Sequence, residues 1–359
     1  MANANLTAAK RARNNEFYTQ WTDIEREMNA YLEYDPDVFR GKIVLLPCDD
    51  PEWSNFTKFF ALHFRDFGLV KLISTSYAPN SNVGAAYYAP TLFELDDPQY
   101  DETKSLERGR MFVLEPRDLN ADGKIDIDDL QWSYLEGDGD FRSEEVTALR
   151  DEADFVITNP PFSLFREFVM WLMDGNVRFS AIGPKNAISY KEIYPLIKAN
   201  KLWLGKGFNR GDAYFRVPQS IKTGYAGGVY DTQTGLVHFR NVGWFTNIDH
   251  GRRHEPMELM TMADNLRYNK KLIKKLGGVG EYQRYDNYDA IEVPFTDAIP
   301  SDYKGAMGVP ISFLDKYNPD QFEIIKFRHG DDGKDLRIDG KSPYFRILIR
   351  HKGRQIHED

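Results

Sequence analysis

Asn159-Pro160-Pro161-Phe162 are the residues of this chain whose types and order best suit shared chemistry. They follow Asp154-Phe155-Val156-Ile157-Thr158, an apolar run that reads as a buried strand. Phe165, Phe168, Val169 and Leu172 then recur at helical spacing. The tetrapeptide therefore belongs on a tight turn beyond the strand's carboxyl end, where open α/β sheets bind ligands. Its two prolines fix the backbone and remove two N–H donors. The turn then offers acceptors, the Asn159 side-chain oxygen and the Pro160 carbonyl, beside the aromatic face of Phe162. Such a turn suits a planar group carrying an exocyclic NH2. An adenine amino nitrogen is a poor nucleophile because its lone pair is delocalised into the ring. Two acceptors on its protons hold it and favour a more tetrahedral nitrogen, whose lone pair can face an electrophilic methyl, while Phe162 stacks on the ring. The contribution is positioning and preorganised electrostatics, with no strong base required. The plain alternative, a proline-rich turn that only ends a strand, fits less well between this strand and this helix.

The turn resembles the catalytic motif of S-adenosylmethionine-dependent amino-methyltransferases, and other segments extend the likeness. Asn15-Glu16-Phe17-Tyr18-Thr19-Gln20 resembles the N-terminal Phe-Tyr-Thr motif of that class. Cys48-Asp49-Asp50-Pro51 with Ser54-Asn55-Phe56 resembles the first cofactor-binding turn of EcoRI-type adenine modification methylases. Residues 137–143, 159–167, 285–291, 307–311 and 343–349 are similar to the same family, with a gap near 80–135. The resemblance implies that Asn159, Pro160, Pro161 and Phe162 are catalytic. It implies cofactor contacts at Phe17, Tyr18, Thr19, Cys48, Asp49, Asp50, Pro51, Ser54 and Asn55. Asp140-Phe141 resembles the Asp-Phe pair whose Asp meets the cofactor adenine; read alone, it is an acidic turn.

The chain has 359 residues, one large or two medium domains with ample material for a core. It has no apolar stretch long enough to span a membrane, and its polar N-terminus lacks the centre of a secretory signal. The single cysteine, Cys48, excludes an internal disulfide framework and suits a reducing cytosol. A net charge of −9 is unfavourable for a nucleic-acid enzyme until it is located. Residues 92–154 hold 20 acidic against 7 basic side chains, so the remainder sums to +4. A surface for phosphates therefore has room elsewhere, although acidic loops that only confer solubility explain the same numbers.

Residues 1–14 are a basic, disordered arm in this reading. Ile24, Met28, Tyr31 and Leu32 predict a helix over 22–34; strands are expected at 42–46 and 69–74, with an amphipathic helix between them at 56–67. His63 on that apolar face is a core histidine. Strand, turn, helix, strand begins a doubly wound sheet. Its first turn lacks a Gly-rich loop, and the adjacent carboxylates of Asp49 and Asp50 suit the ammonium and hydroxyl groups of S-adenosylmethionine better than a pyrophosphate. An Asp N-cap would explain one of the two. The alternation continues through 177–183, 189–198 and 201–205, and 237–247 reads as a strand region. Arg252, Arg253, Lys270, Lys271, Lys274 and Lys275, with Tyr268, Tyr282 and Tyr285 nearby, suit phosphate contacts and stacking, or a solvated helix face.

Residues 118–129 fit a calcium loop, with Asp118, Asn120 and Asp122 at positions 1, 3 and 5, Gly123 at 6, Lys124 at 7 and Asp129 at 12. Leu130, Trp132, Tyr134 and Leu135 are expected to pack a short helix after it. The alternative is an acidic turn built on Asp-Gly. Any Ca2+ here is structural, since methyl transfer from a sulfonium needs no metal.

The expected fold is α/β, a Rossmann-like S-adenosylmethionine-dependent methyltransferase sheet over 15–250 with an acidic insertion at about 92–153. An α+β target-recognition region is expected over 251–359. The resemblance implies adenine-N6 methylation of a flipped-out base in double-stranded DNA by a cytoplasmic monomer, bacterial or phage-encoded, in a system that can include a cognate restriction endonuclease. Rival readings are an RNA or protein-glutamine methyltransferase, a calcium-dependent scaffold module, and a catalytically silent DNA-binding relative.

Overall fold

A computed structural model describes residues 18–50, 54–78, 98–208, 213–216, 230–278, 280–328, 336–343 and 345–352. The arm at 1–14, Phe17 and Pro51 lie outside the described residues. The chain forms two compact units: residues 1–187 with 204–249, and residues 188–203 with 250–359.

The first unit is organised by a mixed sheet with the strand order β5-β4-β3-β2-β6-β7-β12-β8. Its centre is four parallel strands, β3 (Lys71–Ser76), β2 (Ile43–Leu46), β6 (Phe155–Thr158) and β7 (Arg178–Pro184). Val44, Leu45, Leu46, Phe155, Val156 and Ile157 are fully buried, as strands covered on both faces require. β12 (Val242–Thr246) runs antiparallel to β7. β8 (Trp203–Leu204) lies at that edge.

At the other edge, β4 (Arg110–Leu114) and β5 (Gln131–Tyr134) add antiparallel to β3. β5 replaces the short helix expected after the acidic loop. Trp132 and Tyr134 alternate along a strand and pack edge-on at 5.1 Å, a period of two rather than 3.6. The region 237–247 also divides. β11 (Leu236–Phe239) leaves the large sheet and joins β1 (Tyr18–Thr19), β9 (Ala213–Arg216) and β10 (Tyr230–Asp231) in a small antiparallel sheet.

Helix α1 (Trp21–Tyr34) buries Ile24, Met28 and Tyr31, one stripe at helical spacing. The Tyr31 hydroxyl donates to buried Glu27 at 2.6 Å and lies 2.9 Å from Ser180 of β7, so a satisfied polar contact docks this helix. The expected helix at 56–67 breaks at His63 into α2 (Asn55–Leu62) and α3 (Phe64–Phe67). His63 packs between Phe59 and Phe67 at 4.7 and 5.1 Å, the core role expected of it. Helices α4 (Glu102–Glu107) and α5 (Glu144–Glu152) come from the acidic segment. α6 (Phe165–Asp174) buries Phe165, Phe168, Val169 and Leu172.

In the second unit, α7 (Ile193–Lys198), α8 (Met262–Tyr268) and α9 (Lys270–Lys275) accompany a sheet ordered β13-β14-β16-β15. Its strands are β13 (Ala290–Glu292), β14 (Ala306–Val309), β15 (Phe322–Arg328) and β16 (Arg346–His351). Buried Glu292 is held by the Arg346 guanidinium and by the Tyr285 hydroxyl.

One close approach fixes the loop after β5. Gly139 has φ +86°, and a Cβ there would strike the Ser76 carbonyl at the end of β3. Gly139→Ala is therefore expected to destabilise the protein by about 1–3 kcal/mol. The check is the urea unfolding midpoint; an unchanged midpoint would contradict this packing.

Candidate active site

β6 ends at Thr158, and Asn159-Pro160-Pro161-Phe162 turns the chain toward α6 at the carboxyl edge of the parallel strands. Pro161 has φ −55°, and its carbonyl accepts the Leu164 N–H at 2.9 Å to close a short turn over Phe162–Leu164. Phe162 is only 7 % exposed. Its ring meets Phe215 and Phe239 edge-on, at 6.4 and 6.5 Å between centroids. The inner face of the small antiparallel sheet therefore braces the last residue of the motif.

The neighbouring strand β2 leads to the other polar turn. Cys48 adopts a left-handed backbone, φ +66°, and the Asp49 N–H then donates to the Thr75 carbonyl of β3 at 2.8 Å. Ser54 caps α2 by accepting the Phe56 N–H at 3.1 Å. Its hydroxyl donates to Asp49 Oδ1 at 2.7 Å. The Asp49 carbonyl accepts from Thr57 Oγ1 at 3.0 Å and from the Ser74 hydroxyl. Thr158 Oγ1, one residue before Asn159, contacts both Asp49 Oδ2 and the Pro47 carbonyl. Asp49 is 5 % exposed. Burial pushes its carboxyl up to about 7, against the lowering pull of the Thr158 and Ser54 hydroxyls.

Asn55, the first residue of α2, donates to the Thr19 carbonyl at 2.7 Å and brings β1 to the helix start. The Thr19 hydroxyl is buried with no hydrogen-bond partner among the described residues. A buried hydroxyl left this way beside a helix N-terminus suits a ligand carboxylate, such as the one at the amino-acid end of S-adenosylmethionine. On this observation the residues present fit that cofactor.

The structure thus gathers Tyr18, Thr19, Cys48, Asp49, Ser54, Asn55 and the Asn159–Phe162 turn at one sheet edge. Other residues named from sequence have protein partners. Asp50 pairs with Arg110 of β4 at 3.1 Å. Asp140 takes a bidentate pair from Arg142, at 2.9 Å from Nε and 2.5 Å from Nη2. Burial raises the Asp140 carboxyl, but the Arg142 bonds and charge, with the Tyr77 hydroxyl, hold it below its ordinary value. Phe141 is fully buried against Phe168 and Trp171, at 5.0 and 5.5 Å. Burial, then the Asp49 and Asp140 carboxylates, push the Cys48 thiol well up, the opposite of a reactive thiolate.

In the second unit Lys270, Lys274 and Lys275 are exposed on α9, while Lys271 pairs with Asp297 at 3.0 Å. Arg252 is half-buried. Arg253 is buried, with its guanidinium 3.6 Å from the Trp203 ring centre and bonded to Asn200. Its charge is used inside the unit. Sequence reading treated 252–275 as one basic run and had no signal for that stack.

In the 118–129 loop, the Asp118 carboxylate accepts the Asp122 and Gly123 N–H groups at 3.2 and 2.8 Å. Asn120 accepts from Asp122, and Asp122 from Lys124. Asp129 accepts from Leu119 and Asp126 at 2.7 and 3.1 Å. Among the described residues no group of three or more His, Cys, Asp or Glu is placed to hold a metal ion. The calcium expectation gains no support, and the loop's side chains cap its own backbone. The sequence reading also missed Thr158 as a polar partner of Asp49; its only signal was a hydroxyl at the end of an otherwise apolar strand.

With this geometry in place, comparison with known proteins gives concordant results. The family described as "Adenine-specific methyltransferase EcoRI" matches residues 5–352. The chain is 41 % identical to the Type II methyltransferase M.EcoRI of Escherichia coli, over 97 % of this chain and 96 % of that protein. It is 32 % identical to the Type II methyltransferase M.MpnI of Mycoplasma pneumoniae, over 96 % and 97 % of the two chains. The Type II methyltransferase M.MgeORF184P of Mycoplasma genitalium is 31 % identical, over 95 % and 97 %. No solved structure gives a significant match. The chain belongs to the EcoRI-type family of adenine-specific methyltransferases.

Proposed function

We propose that this protein is a site-specific DNA methyltransferase that moves a methyl group to the N6 amino group of adenine in duplex DNA. The observation that carries the reading is the Asn159-Pro160-Pro161-Phe162 turn, placed at the end of the central parallel strand beside Thr19 and the start of α2. S-adenosylmethionine, when bound, supplies the electrophilic methyl. The Thr19 hydroxyl, beside the start of α2, would hold its carboxylate, and the sheet serves as a Rossmann-like platform. Asn159 and the Pro160 carbonyl accept the two amino protons of the target base. Phe162, braced by Phe215 and Phe239, is the ring against which that base stacks.

An adenine inside a duplex hides its amino group, so the base is extruded before reaction. Because the nitrogen is neutral and the donor is a sulfonium, the protein needs orientation and dry acceptors more than a base. Lys270, Lys274 and Lys275 are the proposed phosphate contacts. The Type II names of the relatives support a role in restriction-modification or in protecting phage DNA.

The direct test is transfer from labelled S-adenosylmethionine to unmethylated duplex DNA, with the product nucleosides identified. N6-methyladenine is the expected product, and label in RNA or protein alone would overturn the substrate. Asn159→Ala is expected to lower turnover by about 100-fold or more; wild-type turnover in that variant would remove the mechanism. Lys274→Ala with Lys275→Ala is expected to reduce the slope of log affinity against log salt by about 1–2. An unchanged slope would move the phosphate contacts elsewhere.

A further inference from the structure

The hydrogens around Asp49 cannot all be placed if its carboxylate is ionised. Thr158 Oγ1 has one hydrogen but contacts two acceptors, the Pro47 carbonyl at 2.6 Å and Asp49 Oδ2. A hydrogen given to Pro47 leaves two oxygens facing each other at the Asp49 contact. A proton on Oδ2 resolves this: Asp49 donates to Thr158, Thr158 donates to Pro47, and Ser54 donates to Asp49 Oδ1. Burial, with no cationic partner on Asp49 among the described residues, favours the same neutral form.

We propose that Asp49 is a proton-carrying positioning residue that couples the cofactor turn to the catalytic turn through Thr158. The proposal rests on the functional reading above and adds how its two turns communicate. A cation bound beside the turn favours ionised Asp49. Once the proton leaves for solvent, the single Thr158 hydrogen swings from Pro47 to Asp49 Oδ2. That rearrangement occurs one residue before Asn159. Cofactor binding thereby resets the backbone that carries the amino-group acceptors.

The titratable and charged groups around this centre come from several elements. Cys48 and Asp50 lie on the same turn, and Asp50 is paired with Arg110 of β4. Asp140, paired with Arg142, acts on Cys48 from the loop after β5. From α2, β3 and β6 the facing groups are the hydroxyls of Ser54, Thr57, Ser74 and Thr158. None of these hydroxyls titrates near neutrality, so Asp49 is the group that changes charge there.

The sign of the linkage follows from the raised carboxyl. Its value moves from 3.8 to about 7 on folding. Between these limits the folded chain holds a proton that the unfolded chain has lost. The stability Asp49 contributes is therefore full below about pH 4 and is lost as pH rises to about 7. Asp49→Asn, which keeps a donor and an acceptor without titrating, removes this dependence. Relative to that variant the wild type is expected to lose thermal stability across the interval, and parallel curves would count against the proton.

The decisive experiment is calorimetric titration of the full-length protein with S-adenosylmethionine at pH 7 in buffers of different ionisation enthalpy. Wild type is expected to release about half a proton more per cofactor bound than Asp49→Asn. Equal release with cofactor binding intact would overturn the proposal and leave the methyltransferase reading standing. Failure of the wild type to bind the cofactor would overturn both.

Thr158→Val tests the coupling even if Asp49→Asn does not fold. Its kcat is expected to fall about 10–100-fold at saturating substrates, with cofactor affinity within about 3-fold of wild type, and Thr158→Ser should restore it. An unchanged kcat, or a Ser variant as slow as Val, would overturn the role of the hydroxyl.

Discussion

Everything polar in this candidate active site depends on how two neighbouring parallel strands end. β2 and β6 pair through Val44–Phe155 and Leu45–Val156, then leave the ladder at the same edge. Beyond that edge the pairing of β2 and β6 no longer supplies backbone partners. On one strand the deficit is met by the knot of Asp49, Ser54, Thr57 and Ser74. On the other it is limited by prolines, which carry no N–H to satisfy. Thr158 joins the two solutions.

Such an arrangement leaves the motif with two fewer backbone donors of its own. The prolines remove donors that would compete for the acceptors a substrate amino group needs. Phe215 and Phe239 hold the Phe162 ring edge-on. The knot around Asp49 surrounds its carboxyl and carbonyl with hydroxyls beneath the turn.

Much of this was legible in the chain itself. The apolar run into Asn159, the two prolines and the spacing of Phe165, Phe168, Val169 and Leu172 gave the strand, turn and helix without reference to any partner. Those features depend on neighbours within a few residues. The direction of Asp49 was not legible, because its partner Thr158 lies on a strand that meets it only in the folded sheet. Arg253 likewise looked like surface charge until Trp203 supplied a ring to cover it. Short polar and long cationic side chains take their meaning from tertiary neighbours, whereas apolar periodicity declares itself locally. Residues 130–135 lay between the two cases: too short for either period to decide, they became a strand because β4 offered an edge.

The small antiparallel sheet has a consequence for how the chain comes to life on the ribosome. Tyr18 and Thr19 leave the ribosome about 200 residues before Arg216 and Phe215, with which they pair. Phe239, one of the rings behind Phe162, emerges later still. A nascent chain holding the entire Asn159–Phe162 segment has therefore not yet made the wall that supports it. A truncated translation product that ends before Phe215 would carry the motif without the rings that brace it.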